Sequence, residues 1–118
     1  MNEREILSNI AAHDQRNDTL RKQLIATNVD LNRIRFIECH FWTSDKSVAD
    51  RLAVQLSSQG FSVLASGRAT KPAGKNDWNL ELVVDKSLEE ALSIEFTENL
   101  VRAAALESSI YDGWGAAV

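Results

Sequence analysis

Ile34-Arg35-Phe36-Ile37-Glu38-Cys39-His40-Phe41-Trp42 decides the fold. Read with the two-residue period of a strand, one face carries Ile34, Phe36, Glu38, His40 and Trp42, and the other carries Arg35, Ile37, Cys39 and Phe41. Both faces are largely apolar, so the segment is expected to run through the middle of a sheet. Thr43-Ser44-Asp45 then opens a helix with Ser44 as N-cap. Val48, Ala49, Leu52, Ala53 and Leu56 form its buried stripe, and Gly60 stops it. Residues 61–66 read as a second strand and residues 67–77, with two glycines and the only proline, as a long hairpin loop. Trp78, Leu80, Leu82 and Val84 alternate with Asn79, Glu81, Val83 and Asp85 in a third strand with one wet face.

Ser87-Leu88-Glu89-Glu90 is a capping box with Ser87 at the N-cap and Glu90 at N3. Leu88, Leu92, Phe96, Leu100 and Ala103 or Ala104 follow at helical spacing to about residue 107, and residues 113–118 are expected to add a short last strand. Upstream, residues 3–27 lack Gly and Pro and read as a helix, and Asn28–Asn32 is turn chemistry. The order is a helix followed by β-α-β-β-α-β, which predicts an α+β, ferredoxin-like sandwich with an additional N-terminal helix. Residues 1–118 form one domain: helix and turn over 1–30, α+β core over 33–118.

The N-terminal helix has a 4-3 stripe, Ile6, Ile10, His13, Asn17, Leu20 and Leu24, with a polar pair at its centre. Either the helix breaks or lies half exposed near residue 14, with His13 a solvated residue, or it pairs with a second chain through a polar seam that fixes register. A sheet with a face to cover tips the balance towards packing within the chain, and so to a monomer over a two-fold dimer.

With 118 residues, 44% hydrophobic and 25% charged, the chain has the composition of a soluble domain. A net charge of −4 argues against a nucleic-acid binder, because phosphate rewards a basic face. The negative charge gathers at the C-terminal end, where Glu89, Glu90, Glu95, Glu98, Glu107 and Asp112 face only Lys86 and Arg102. Glu89, Glu90, Glu95 and Glu98 are therefore candidate contacts for a basic protein partner. Cys39 is the only cysteine, so no intramolecular disulfide forms and a reducing cytoplasm fits. The charged start of the chain lacks a signal-peptide core, and no apolar run approaches the roughly 20 residues of a membrane span.

Glu38 and His40 share a strand face about 7 Å apart, the one arrangement suited to general base work. With Asp112 they define an alternative reading as a small-molecule or enzymatic domain. No motif places a nucleophile, and Cys39 faces away from both. Two histidines and one cysteine give no metal-ligand spacing, and neither metal nor cofactor is expected. Gly67–Lys75 is basic but fails the phosphate-loop pattern. The residues favour a structural Glu38–His40 pair, no catalytic residue, and binding over catalysis.

The end of the chain, Tyr111-Asp112-Gly113-Trp114-Gly115, holds its only tyrosine, one of three tryptophans and two of five glycines. Aromatic area beside conformationally permissive glycine predicts a docked tail, with Trp114 largely buried. This peptide resembles the terminal signature of the regulator of ribonuclease E activity B (RraB) family. Glu38 and His40 within Arg35–His40, and Gly60-Phe61-Ser62-Val63, resemble the family's first strand and its helix stop. The chain departs from the pattern in placing Cys39 between Glu38 and His40, and in stopping at Val118 without the acidic C-terminal extension of the inhibitor proper. The resemblance implies a cytoplasmic, non-enzymatic protein that binds ribonuclease E and modulates RNA degradation by protein contact.

Overall fold

The computed structural model describes residues 2–69 and 77–118. Its elements are α1 (Glu3–Ala26), β1 (Ile34–Thr43), α2 (Lys46–Ser57), β2 (Ser62–Arg68), β3 (Trp78–Ser87), α3 (Leu88–Ala91), α4 (Ile94–Leu106) and β4 (Ile110–Gly115). The four strands form one sheet in the order β2-β3-β1-β4, each neighbouring pair antiparallel. β1 is central, as its doubly apolar pattern requires. Ile37, Cys39, Phe41 and Thr43 on one of its faces are wholly buried, and the first three join Leu52, Leu56, Leu88, Leu100 and Ala104 of the helices in one core. The opposite face carries Phe36, 55% exposed, with Glu38, His40 and Trp42 partly covered.

The wet face expected of β3 is drier than its pattern suggests: Asp85 is exposed, yet Val83 is buried and Asn79 and Glu81 are partly covered. β2 runs two residues further than expected, to Arg68, and Ala69 N–H donates to Asp77 O at 2.8 Å to close the hairpin. The basic Gly67–Lys75 segment otherwise lies, over residues 70–76, outside the described residues.

Two helix starts differ from the sequence reading, each through a local hydrogen bond. Asp45, not Ser44, caps α2: its Oδ1 accepts from Val48 N–H at 3.0 Å and from the Ser47 hydroxyl at 2.8 Å. A carboxylate that meets both donors outcompetes the neighbouring hydroxyl. Gly60 does end the helix region, with φ +92°.

The helix expected over 88–107 is two helices. Ser87 caps α3 as the box predicts, but Ser93 starts a second helix by accepting from Phe96 N–H at 3.2 Å. The apolar stripe survives the break because Leu88, Leu92, Leu100, Ala103 and Ala104 are all buried. The last strand starts three residues earlier than expected and ends at Gly115.

α1 corrects the reading of a break near residue 14 and of a solvated His13. It is one unbroken helix of 24 residues. His13 and Asn17 are buried rather than solvated, and Ile10 and Leu24 above and below them belong to the core. The helix packs against α4 of its own chain. Arg21 grips both carboxylate oxygens of Glu89 at 2.8 and 2.7 Å, and Arg102 reaches Glu3 at 2.9 Å, tying the two ends of α1 to α3 and α4.

Candidate functional site

The tail peptide and the polar centre of α1 meet. In β4, Phe41 stands opposite Tyr111 and His40 opposite Gly113, so Asp112 has no partner on β1 and the strand bulges there. A regular strand would send Tyr111 and Trp114, three residues apart, to opposite faces. The extra residue restores them to one face, since Trp114 is opposite Cys39 and Tyr111 opposite Phe41, both on the buried side of β1. Gly113 makes this geometry possible with φ +117°, a conformation that side chains strain to adopt.

Tyr111 fills the core at 2% exposure, its ring 5.4 Å from that of Phe41 and 4.9 Å from the imidazole of His13. The His13 Nε2–H donates to Tyr111 O at 3.0 Å; a carbonyl only accepts, so this nitrogen carries the proton. Burial pushes the His13 pKa down from its ordinary value and Arg16 adds to this, against the opposing pull of the Tyr111 carbonyl bond and of Asp112. The imidazole is therefore a neutral donor at neutral pH.

One turn on, Asn17 Nδ2 donates to Thr97 Oγ1 and Asn17 Oδ1 accepts the indole N–H of Trp114, both at 3.1 Å. A single amide thus joins α1, α4 and β4. Trp114 is only partly buried, so Tyr111, rather than Trp114, is the buried anchor of the tail. His13, Asn17 and Thr97 were not singled out as site residues from the sequence. The signal present was the position of two of them on an otherwise apolar helix stripe.

The proposed catalytic grouping is not assembled. His40 Nδ1 lies 3.4 Å from Glu81 Oε1 across the β1–β3 pair, not on Glu38. His40 and Asp112 line a common cleft with His13, Arg16 and Trp114, but Glu38 does not. That cleft, about 120 Å³, is well below the roughly 300–1,000 Å³ of small-molecule sites. The tail forms its wall. Cys39 is buried and its thiol pKa is pushed up by desolvation to about 12, so it is no nucleophile. Among the described residues no group of three His, Cys, Asp or Glu side chains could hold a metal ion, and no helix is long and apolar enough to cross a membrane.

Of the four candidate contact glutamates, Glu89 and Glu90 lie in α3 and Glu95 and Glu98 in α4. All four are exposed. Glu89 is held by Arg21, Glu98 by Arg102 at 3.0 Å, and Glu90 loosely by Lys86 at 3.6 Å. Glu95 makes no ion pair among the described residues.

The structure is thus a small α+β domain with a tail locked to α1 and an acidic surface on α3 and α4. Comparison with protein families identifies the lineage: the chain matches the family described as RraB, regulator of ribonuclease activity B, over residues 13–116, and belongs to it. Regulators of this family are non-enzymatic inhibitors of ribonuclease E. The matched segment begins at His13 and contains the whole Tyr111–Gly115 bulge. A comparison with curated proteins finds no match.

Proposed function

We propose that this chain inhibits ribonuclease E in the cytoplasm by direct protein–protein contact, as a monomer, with Glu89, Glu90, Glu95 and Glu98 on its contact face. The observation that carries this reading is the use made of the family's tail signature. Tyr111, Gly113 and Trp114 are spent on locking β4 to α1, and the cleft they leave is too small for a substrate. What remains for function is surface. Exposed carboxylates on α3 and α4 fit a partner with basic side chains, where such charges chiefly govern on-rate and salt dependence.

The core over 33–118 is further read as a ferredoxin-like sandwich, with residues 1–30 as an added helix and turn within one domain. The strand order and the crossovers through α2 and through α3–α4 support this. No direct nucleic-acid contact is proposed, given the net charge of −4.

The test is to titrate the full chain into a cleavage assay with purified ribonuclease E and to measure retention of the enzyme on the immobilised chain. Saturable inhibition with stoichiometric retention is expected, unchanged by His40→Ala and weakened when the four glutamates are replaced by glutamine. Failure to retain ribonuclease E at micromolar concentrations would refute the proposal.

A further inference from the structure

We infer that the groove between the first turn of α1, α2 and α4 seats a basic amphipathic helix of the partner protein. The inference rests on the proposal that the chain acts by docking. The groove has a volume of about 850 Å³, far larger than the cleft at the tail. Its floor is apolar, with Ile6, Ala103 and Leu106 among its lining. Leu106, at 77%, is the most exposed large apolar side chain among the described residues, and Leu7, next to Ile6, is 53% exposed.

Charge settles the kind of occupant. Glu3, Glu95 and Glu98 line the groove, and among the described residues its only cation is Arg102. Arg102 is already engaged: its Nη2 lies 2.9 Å from Glu3 and its Nε 3.0 Å from Glu98. The groove therefore presents net negative charge around an apolar floor, with the Glu95 carboxylate unopposed. An amphipathic helix with arginine or lysine flanking its apolar stripe complements both features.

The walls favour a helix over an extended strand. They are helix faces, into whose ridges a third helix packs, and they offer no strand edge for backbone pairing. A second copy of this chain fits poorly, because groove against groove would oppose like charges.

The probe is a fluorescently labelled synthetic peptide of leucine–arginine heptads, compared by anisotropy with a scrambled peptide of equal composition. The full chain is expected to bind the heptad peptide and to bind the scrambled one much more weakly. Leu106→Lys and Glu95→Lys, both at exposed positions and each verified to keep a cooperative melt, should each weaken binding by about tenfold or more. Phe36→Asp, on the open sheet face, should not. The same variants are then tested for retention of ribonuclease E, where parallel losses are expected.

Equal binding of the scrambled peptide overturns the inference. So does a wild-type dimer, seen by light scattering, that Leu106→Lys dissociates. If ribonuclease E is retained equally by wild type and both groove variants, the groove is not the seat although the docking proposal stands. If the peptide binds through the groove while ribonuclease E is not retained at all, the groove stands and the docking proposal falls.

Discussion

Asn17 and Trp114, 97 residues apart in sequence, share a hydrogen bond from the indole N–H to the side-chain carbonyl oxygen at 3.1 Å. The indole can only donate, so it fixes the orientation of the amide and turns the Asn17 NH₂ towards Thr97. Removing either partner of such a bond leaves a group poorly satisfied. Asn17→Ala should cost about 1–3 kcal/mol and Trp114→Phe about 1 kcal/mol. A double-mutant cycle followed by urea unfolding should give a coupling of about 0.5–3 kcal/mol; additive losses would show that the bond contributes nothing. Because Trp114 is half-buried and Tyr111 wholly so, Tyr111→Ala should fall in the range of about 3–5 kcal/mol and Trp114→Ala below it.

The two tail glycines should behave differently. Gly113 has φ +117°, and an added Cβ would stand 3.5 Å from Arg16 Nη1 and 3.9 Å from His13 Cε1. The backbone, more than the space, forbids a side chain there. Gly113→Ala should destabilise by about 1–3 kcal/mol. Gly115 has nothing within 4 Å of an added Cβ and no positive φ, so Gly115→Ala should be close to neutral. Equal melting temperatures for the two variants would mean that the bulge does not depend on glycine.

Much of this fold was legible because it rests on apolar period. The central position of β1, the stripe of α2 and the capping box at Ser87 follow from residues near in sequence. What was not legible depends on contacts between distant residues. Nothing around Asp112 says that it will be the unpaired residue of a bulge, because the bulge exists only in register with His40 and Phe41. His13 and Asn17 looked like a flaw in an apolar stripe because the carbonyl of Tyr111, the hydroxyl of Thr97 and the indole of Trp114 that satisfy them lie 80 residues or more away. Likewise, Glu38 and His40 share a face, but cross-strand pairing gives His40 to Glu81. Ser93 could have been read as a cap from the sequence; the continuous apolar stripe across it hid the break.

Stability should depend on pH through His13. Its pKa is lowered in the folded protein from the ordinary 6.5, chiefly by burial. A base with a depressed folded pKa binds fewer protons folded than unfolded, so its contribution is fully present above about pH 6.5 and is lost as the pH falls through the folded value. The groups facing the ring are Arg16, which favours the neutral form, and Asp112 and the Tyr111 carbonyl, which favour the charged one. Urea midpoints should therefore fall between pH 7 and pH 5. His13→Gln, which can still donate to Tyr111 O, should be less stable at pH 7 and show a shallower fall. An identical pH slope in wild type and variant would remove His13 as the cause.

Loss of α1 should unfold the domain rather than release a smaller one. The helix contributes Ile10 and Leu24 to the core, and His13 and Asn17 supply the partners of Tyr111, Thr97 and Trp114. Without it, Tyr111 would lose the His13 ring beside it, and the face of α4 that α1 packs against would open to water. Uncovering each large apolar side chain costs about 1.5–3 kcal/mol, against a total stability of about 5–15 kcal/mol for a domain of this kind. A chain lacking residues 1–27 should therefore show no cooperative thermal transition and should aggregate, as read by circular dichroism and light scattering. The full chain should scatter as a single monomeric species. A truncated chain that stayed folded and monomeric, from a full chain that was dimeric, would mean that α1 serves to pair two molecules and that its packing against α4 is dispensable.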